Sequence, residues 1–188
     1  MIHSEQVNVP FATPAGVITP LMLKWLLLCE HPVSHTLWVA KATPRNWLAD
    51  GETIEAGAIT SKYGRLSFKF ESEIETAGRI LVNLTLPSSW ADPHVRKPAG
   101  GLTIRLRTPS YVNVSTDTTS KWTITGATQG GGTPLAFNAS METVHIPRDA
   151  LCCKASDQGC GAACANGCCV SNDSMAQLQS IIVSYSHS

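Results

Sequence analysis

Alternation of apolar and polar residues in several short runs constrains the fold of this 188-residue chain more than any other feature. The clearest runs are residues 66–70, 80–86 and 102–106, in which every second residue is Leu, Ile, Val or Phe. Successive side chains of a strand point to opposite faces, so each run predicts a strand with one buried and one wet face. Further short strands are predicted at residues 36–41, 121–125, 135–138, 142–146 and 178–185. Turn-forming residues separate the runs, and the pattern predicts a mainly β fold, an antiparallel β-sandwich.

One apolar helix is predicted ahead of the strands, at residues 20–30. Thr19 can cap a helix and Pro20 is tolerated at its first position, whereas Pro32 ends it. This helix is apolar nearly all round, so it needs a large partner surface. The rest of the chain does not obviously supply that surface, and we expect the isolated chain to expose an apolar patch and to associate.

Composition excludes several classes of protein. Hydrophobic residues make up 43% of the chain and charged residues 15%, which is the opposite of the balance that disorder requires. The formal net charge is zero and no dense basic face is visible, so we expect no nucleic-acid partner. The longest apolar stretch, residues 21–29, contains Lys24 and is too short to span a bilayer, so we expect no membrane partner.

Six of the seven cysteines are concentrated in one short segment, which predicts a stapled loop insertion over residues 152–174. The six are Cys152, Cys153, Cys160, Cys164, Cys168 and Cys169. Three disulfides, or a thiolate metal site, could explain them; the two-residue spacing typical of zinc sites does not occur, so disulfides are favoured. Their connectivity stays open. Cys29 lies on the predicted helix and is expected to be a buried free thiol.

Four N-glycosylation sequons occur among only seven asparagines, which is a mild excess over the ~1–2 that chance gives. The acceptor residues are Asn83, Asn113, Asn138 and Asn172. Together with the cysteines they predict a secreted or extracellular protein, whose signal peptide would lie outside this chain.

Five stretches carry a resemblance to a known family. They read LWVAKATPRNWL at residues 37–48, DGETI at 50–54, KYGRLSF at 62–68, GRILVNLTL at 78–86 and LTIRLRTP at 102–109. This set resembles the boundary between the catalytic helical toroid and the trailing β-sandwich of six-hairpin glycosidases, which are (α/α)6-type glycoside hydrolases. The motifs concern packing and turns, so they identify a module and not a reaction.

The resemblance implies that residues 1–35 are a lead-in and a remnant of the toroid, and that residues 36–188 form an accessory β-sandwich. Such a domain would pack on the toroid of its parent enzyme, with carbohydrate as a further ligand. It would perform no catalysis by itself and need no cofactor. The cysteine-rich insertion lies outside the family pattern, so the resemblance implies no role for it.

Candidate catalytic and metal-binding groups have plainer explanations. Glu71, Glu73 and Glu75 alternate along a predicted strand and could act as acid and base, but they read more simply as a solvated face. His31 and His35 could share a metal on a helix, yet Pro32 breaks that geometry. We therefore predict no catalytic and no metal-binding residue in this chain.

Two tryptophans are candidates for sugar contact, because aromatic rings suit carbohydrate sites. Trp90 lies in an apparent loop and is the better candidate, while Trp122 begins a predicted strand. They leave open a rival function, a stand-alone lectin-like module that uses Trp90 and the stapled loop. A second rival is a cysteine-rich metal-binding or redox protein.

Overall fold

A computed structural model describes residues 12–91, 94–113, 118–129, 132–151, 164–165, 168–169 and 177–187. These residues form two helices, α1 Ala12–Leu27 and α2 Ile74–Ala77, and fourteen strands. The strands are β1 Leu28–Glu30, β2 Leu37–Val39, β3 Thr53–Ser61, β4 Gly64–Glu73, β5 Arg79–Leu86, β6 Leu102–Arg105, β7 Ser110–Asn113, β8 Thr118–Gln129, β9 Thr133–Pro134, β10 Ala136–Asn138, β11 Thr143–Ile146, β12 Cys164–Ala165, β13 Cys168–Cys169 and β14 Gln177–His187. Short 3₁₀ turns occur at Arg45–Leu48, Ser88–Ala91 and Arg148–Leu151.

The fold is mainly β, as predicted, and its two large sheets are consistent with a β-sandwich. The five-stranded sheet has the order β1-β2-β6-β11-β10, and the seven-stranded sheet has the order β3-β4-β5-β14-β8-β7 with β9 paired to β8. The pairs within these sheets are antiparallel except that β2 runs parallel to β6, with Leu37 opposite Leu102. The prediction of a purely antiparallel fold is therefore wrong at that pair, because the chain returns to β6 by a long connection through the other sheet.

The hydrophobic core lies between the two sheets. The apolar members of the alternating runs are buried, such as Phe70 and Leu84 from the seven-stranded sheet and Ile104 from the five-stranded sheet. Their polar neighbours, such as Lys69 and Asn83, are half-buried on the outer face of the seven-stranded sheet. Each fully buried Leu, Ile or Phe contributes about 1.5–3 kcal/mol relative to its exposed state, so the alternation fixes which face turns inward.

Helix α1 differs from its prediction at both ends. It begins at Ala12 and contains Pro20 in its interior, and it ends at Leu27. Residues 28–30 form β1, in which Leu28 is buried opposite Val39 of β2. Pairing with β2 satisfies the backbone of this short apolar segment and buries Leu28, which outweighs its helix propensity. The boundary expected between residues 35 and 36 consequently falls inside the β1–β2 hairpin.

Neither helix in the described part of the chain is long and apolar enough to cross a membrane.

Candidate functional site

The exposed apolar side of α1 is the most unusual surface of the molecule. Ile18, Leu21, Met22, Leu23 and Trp25 are 46%, 43%, 57%, 45% and 54% exposed. Positions 18, 21, 22 and 25 follow the spacing of one helix face, whereas Leu23 lies nearly on the opposite side, so apolar side chains are exposed around the helix. We call these five side chains the α1 face. Its exposure was expected from the sequence and is confirmed.

The C-terminal end of α1 is anchored by residues 40–42. The carbonyl of Leu27 accepts a hydrogen bond from the Ala40 amide at 2.7 Å, and that of Leu26 accepts one from the Ala42 amide at 3.3 Å. These bonds satisfy two of the carbonyls that a helix end leaves without an intrahelical partner. Leu27 also packs against the core, so the helix is held at this end.

A group of basic and aromatic side chains lies on the outer face of the five-stranded sheet, beside this anchor. In β2, Leu37 and Val39 are buried, so Trp38 between them points outward. Arg105 follows the inward-pointing Ile104 in β6. The guanidinium of Arg105 donates to the Lys41 carbonyl at 3.5 Å, and that of Arg107 donates to the Thr43 carbonyl at 3.4 Å. We call Trp38, Lys41, Arg105 and Arg107 the basic face.

Three N–H groups of the basic face lack an acceptor within the described residues. They are the indole Nε1 of Trp38 and the Nε atoms of Arg105 and Arg107, all of them buried atoms. Leaving such a donor unsatisfied costs about 1–3 kcal/mol, and most buried polar groups in proteins have a partner. Lys41 places its ammonium 5.6 Å from the centre of the Trp38 ring and 4.0 Å from the Cys29 sulfur.

A neighbouring arginine, in contrast, is paired with a carboxylate. Arg45 forms a two-pronged ion pair with Glu142, at 2.6 Å and 2.9 Å, and also donates to the Thr108 carbonyl at 2.7 Å. The hydrogen bonds that Arg45 donates to the Glu142 carboxylate raise the pKa of Arg45. Glu142 is nearly buried, so this pair joins the 3₁₀ turn after β2 to the turn before β11.

The hydroxyl of Tyr185 is the remaining buried polar side-chain atom in the described residues that has no partner. Burial raises the pKa of Tyr185 well above its ordinary value, and the charge of Glu142 adds to this. The phenol therefore stays neutral over the physiological pH range.

Trp90, predicted to make an exposed sugar contact, is wholly buried, and that prediction is wrong. Its indole Nε1 donates to the Tyr63 carbonyl at 2.7 Å. A 3₁₀ turn folds its ring into the core, and no periodicity in the sequence could have revealed this. Trp122 is half-buried on β8 with its ring edge-on to His187, at 4.9 Å between ring centres, and its sugar contact stays a prediction.

The acidic candidates do not form a catalytic pair. Glu71 bonds Lys69 at 2.7 Å and Glu73 bonds Arg79 at 2.6 Å, so both are engaged on the sheet surface. Glu75 lies in α2 and not on the strand, which corrects the predicted alternation. Both carboxylates of β4 are more than one-third exposed, so neither lies in a protected cleft.

The two histidines lie at a strand-to-strand corner. His31 accepts a hydrogen bond at Nδ1 from the Ser34 amide at 3.1 Å, and His35 is exposed in the same β1–β2 loop. Because β1 ends at Glu30 and both histidines follow it in a loop, His31 and His35 are not on a helix and do not have the helical spacing that could share a metal. In the described residues, no three His, Cys, Asp or Glu side chains are grouped for a metal ion.

Only part of the cysteine and sequon predictions falls on described residues. Cys29 is free and half-buried, and it lies on β1 and not on a helix, which corrects its predicted placement. Strands β12 and β13 pair so that Cys164 is opposite Cys169. Cys152, Cys153, Cys160 and Asn172 lie outside the described residues. The predicted disulfides are not shown.

Three sequon asparagines lie on strands. Asn138 is exposed on β10, Asn83 is half-buried on β5, and Asn113 is in β7. Their glycosylation stays a prediction.

A shallow, open depression of about 340 Å³ lies on the seven-stranded sheet, around Arg65, Ser67 and Pro87. It contains none of the predicted sugar-contact tryptophans. The α1 face and the basic face are thus the two surfaces that the structure singles out. The sequence predicted the first and missed the second.

Comparison of the chain with protein-family models, with curated proteins and with solved structures gives no match in any of the three.

Proposed function

We propose that this chain is a non-catalytic accessory β domain of a secreted glycoside hydrolase, which packs on a helical catalytic toroid and stabilises it. The finer fold that accompanies this proposal is a sandwich with one N-terminal helix and a disulfide-stapled loop. The observation that carries the proposal is the α1 face, because five large apolar side chains on one helix stay about half exposed to water.

The energetics of α1 favour a docked helix. Pro20 in its interior costs about 3 kcal/mol relative to alanine, and an isolated helix of 16 residues is marginal even without a proline. Burying the five half-exposed side chains against a partner would stabilise the docked helix by on the order of 5 kcal/mol. A partner that covers the α1 face would therefore stabilise both the helix and the joint with β1.

The resemblance supplies the nature of that partner. The stretch at residues 37–48 covers β2 and the 3₁₀ turn Arg45–Leu48, which follow α1 and β1 along the chain. In six-hairpin glycosidases, stretches of this kind mark the joint between the last toroid helix and the sandwich. The apolar helix thus stands where the resemblance places a helix of the toroid.

The lectin-like alternative loses its main support, since Trp90 is in the core. Trp122 alone does not favour it. The cysteine-rich metal-binding alternative rests on a segment that lies largely outside the described residues, and no observation favours it over the accessory domain.

The first test identifies the native assembly. An antibody raised against the recombinant chain would purify the native protein, which would then be assayed on a panel of chromogenic glycosides and analysed by mass spectrometry. We expect glycosidase activity and a helical region, in the same polypeptide or bound to it. A native protein of about the 20.1 kDa of this chain, apart from glycans, with no glycosidase activity, would overturn the proposal.

The second test asks whether that helical region binds through the α1 face. We expect the double variant Met22→Ser/Trp25→Ser to weaken the association about tenfold or more, since it removes two exposed apolar anchors. The matched control is Phe137→Ser/Ile182→Ser, which changes two other exposed apolar residues, each 42% exposed. Equal effects of the two double variants would show that α1 is not the docking element.

A further inference from the structure

Asn83 and Asn138 are the two sequon asparagines whose side chains the structure describes, and we propose that Asn138 carries an N-linked glycan whereas Asn83 does not. The inference rests on the secretory route that belongs to the proposed function. It adds which sequon is used and which edge of the domain stays open to solvent. The sequon of Asn138 continues through Ala139 to Ser140, at the end of β10 and the start of the turn to β11.

The side chain of Asn138 is held with its nitrogen free. Its Oδ1 accepts a hydrogen bond from the Met141 amide at 3.0 Å and another from the Ser140 hydroxyl at 2.8 Å. A backbone amide can only donate, so the bond from Met141 identifies the atom that faces the turn as the oxygen. Nδ2 lies on the other side of the amide group and has no acceptor among the described residues. Attaching a sugar to Nδ2 would therefore break no hydrogen bond of this turn.

The acceptor sequence is accessible from outside. Asn138 and Ser140 are exposed, and Met141 beside them is 50% exposed. Strand β10 is the last strand of the five-stranded sheet, so within that sheet it has a neighbour on one side only. Just beyond the sequon, the ion pair of Glu142 with Arg45 holds the turn against the rest of the fold. An enzyme could reach the Asn138 amide without opening the core.

Asn83 is placed less favourably. It lies on β5 inside the seven-stranded sheet, opposite Lys69 of β4 on one side and Ser180 of β14 on the other. Its side chain is half-buried, and the next residue of its sequon, Leu84, is in the core. Once the sheet has formed, an enzyme could take up this sequon only by pulling β5 away from both neighbours. The folded domain therefore favours Asn138 as the acceptor.

The modification is a group transfer whose donor the secretory pathway supplies. A bond forms between Asn138 Nδ2 and the anomeric carbon of an oligosaccharide. The bond from that carbon to a phosphate oxygen of a polyprenyl-pyrophosphate-linked donor breaks. The amide nitrogen gives up one proton, the donor leaves as polyprenyl pyrophosphate, and no atom is oxidised or reduced. The product is still a neutral amide, so the charge of the turn does not change.

The position of this glycan is compatible with the proposed function. Strands β10 and β1 are at opposite edges of the five-stranded sheet, and β1 directly follows α1 along the chain. Neighbouring strands are about 4.8 Å apart, so four steps across the sheet separate the two edges by about 19 Å. A bulky, solvated glycan on β10 leaves the α1 side open, and it protects the unpaired edge of β10 from pairing with another chain.

The main test maps glycans on the native protein, purified with an antibody raised against the recombinant chain. Peptide-N-glycosidase in heavy-oxygen water converts each occupied asparagine to a labelled aspartate, and a sample without the enzyme controls for spontaneous deamidation. We expect mass spectrometry to find the label at Asn138 and not at Asn83. An unlabelled Asn138, or a labelled Asn83, would overturn the inference.

Variants of the full chain, secreted from insect cells behind a heterologous signal peptide, test the same assignment. Asn138→Gln and Ser140→Ala should each lose one glycan, seen as faster migration in a denaturing gel. Ser140→Thr keeps the hydroxyl and should keep the glycan. The matched control Asn83→Gln should migrate like the wild type, and thermal unfolding checks that each variant keeps its fold. Migration that Asn138→Gln leaves unchanged, or that Asn83→Gln alters, would contradict the assignment.

Failure of this inference can be told apart from failure of the proposed function. If the native protein has glycosidase activity and a helical region but an unmodified Asn138, the glycan assignment is wrong and the proposed function stands. If Asn138 is modified in a native protein that has the mass of this chain apart from glycans and no glycosidase activity, the proposed function is wrong and the glycan assignment stands.

Discussion

At the scale of single residues, burial separates the ion pairs that stabilise the fold from those that contribute little to it. The pair Arg45–Glu142 joins two turns far apart in sequence, and the Glu142 side chain is only 4% exposed. The pair Lys69–Glu71 has a similar distance, 2.7 Å, but both side chains are about two-fifths exposed, at 42% and 38%. Burial, rather than distance, decides which of the two contributes to stability.

Glu142→Gln should therefore destabilise the fold by about 2 kcal/mol. This is below the 3–5 kcal/mol typical of breaking a buried pair, because Arg45 is one-third exposed and water screens it. The free energy of unfolding would be measured by denaturant titration. Glu71→Gln is the matched control and should change it by less than about 0.5 kcal/mol. Equal losses in the two variants would contradict the structural role of the Arg45–Glu142 pair.

A second residue-scale prediction concerns the corner at Gly100, where the start of β6 meets the loop after β1. A Cβ atom built at Gly100 would collide with the Ser34 carbonyl oxygen, so Gly100→Ala must displace backbone. We expect a loss of about 2–3 kcal/mol in the free energy of unfolding. In Gly16→Ala, the new Cβ meets nothing within 4 Å, and alanine favours the helix, so stability should not fall. A Gly100→Ala variant as stable as the wild type would show that this corner is not tightly packed.

At the scale of elements, most strands of the two large sheets could be predicted from the sequence, including the shorter ones at residues 36–41, 121–125, 135–138, 142–146 and 178–185, which overlap β2, β8, β10, β11 and β14. The runs at residues 66–70, 80–86 and 102–106 became β4, β5 and β6. Strand β3 was missed because its alternation is interrupted at Gly57 and Ala58, where the register with β4 shifts and the Ala58 amide bonds the Ser67 hydroxyl at 2.8 Å. A bulge of this kind hides a strand from any period-two search.

The small hairpin of β12 and β13 gives an element-scale prediction about the cysteines. Directly opposite residues of an antiparallel pair have Cα atoms about 4.5–5.5 Å apart, which lies within the range that a disulfide spans. Because the backbone register places Cys164 opposite Cys169, we expect these two cysteines to be bonded in the oxidised protein. Peptide mapping without reduction would check this; a Cys164 linked elsewhere would contradict it.

At the scale of the whole molecule, the formal net charge is zero, yet the basic face carries three cationic side chains. The chain has 14 basic and 14 acidic residues, so composition alone gave no reason to expect a basic face. The parallel register of β2 and β6 brings Trp38 next to Thr103 and hence close to Arg105, residues that lie far apart in sequence. Such a juxtaposition arises from topology, whereas the apolar character of α1 was readable from local composition.

The exposed α1 face should also govern the behaviour of the isolated chain. Because large apolar patches associate in water, we expect the wild-type chain to elute above its 20.1 kDa monomer mass in size-exclusion chromatography with light scattering. Leu21→Ser/Met22→Ser/Trp25→Ser should elute as a monomer with an unchanged far-ultraviolet β signal, since none of these side chains is in the core. The association should strengthen in ammonium sulfate, as burial of apolar surface does, and not weaken as ionic contacts would. A wild-type chain that stays monomeric at high concentration, or an association that the triple variant leaves intact, would mean that the α1 face does not need a protein cover.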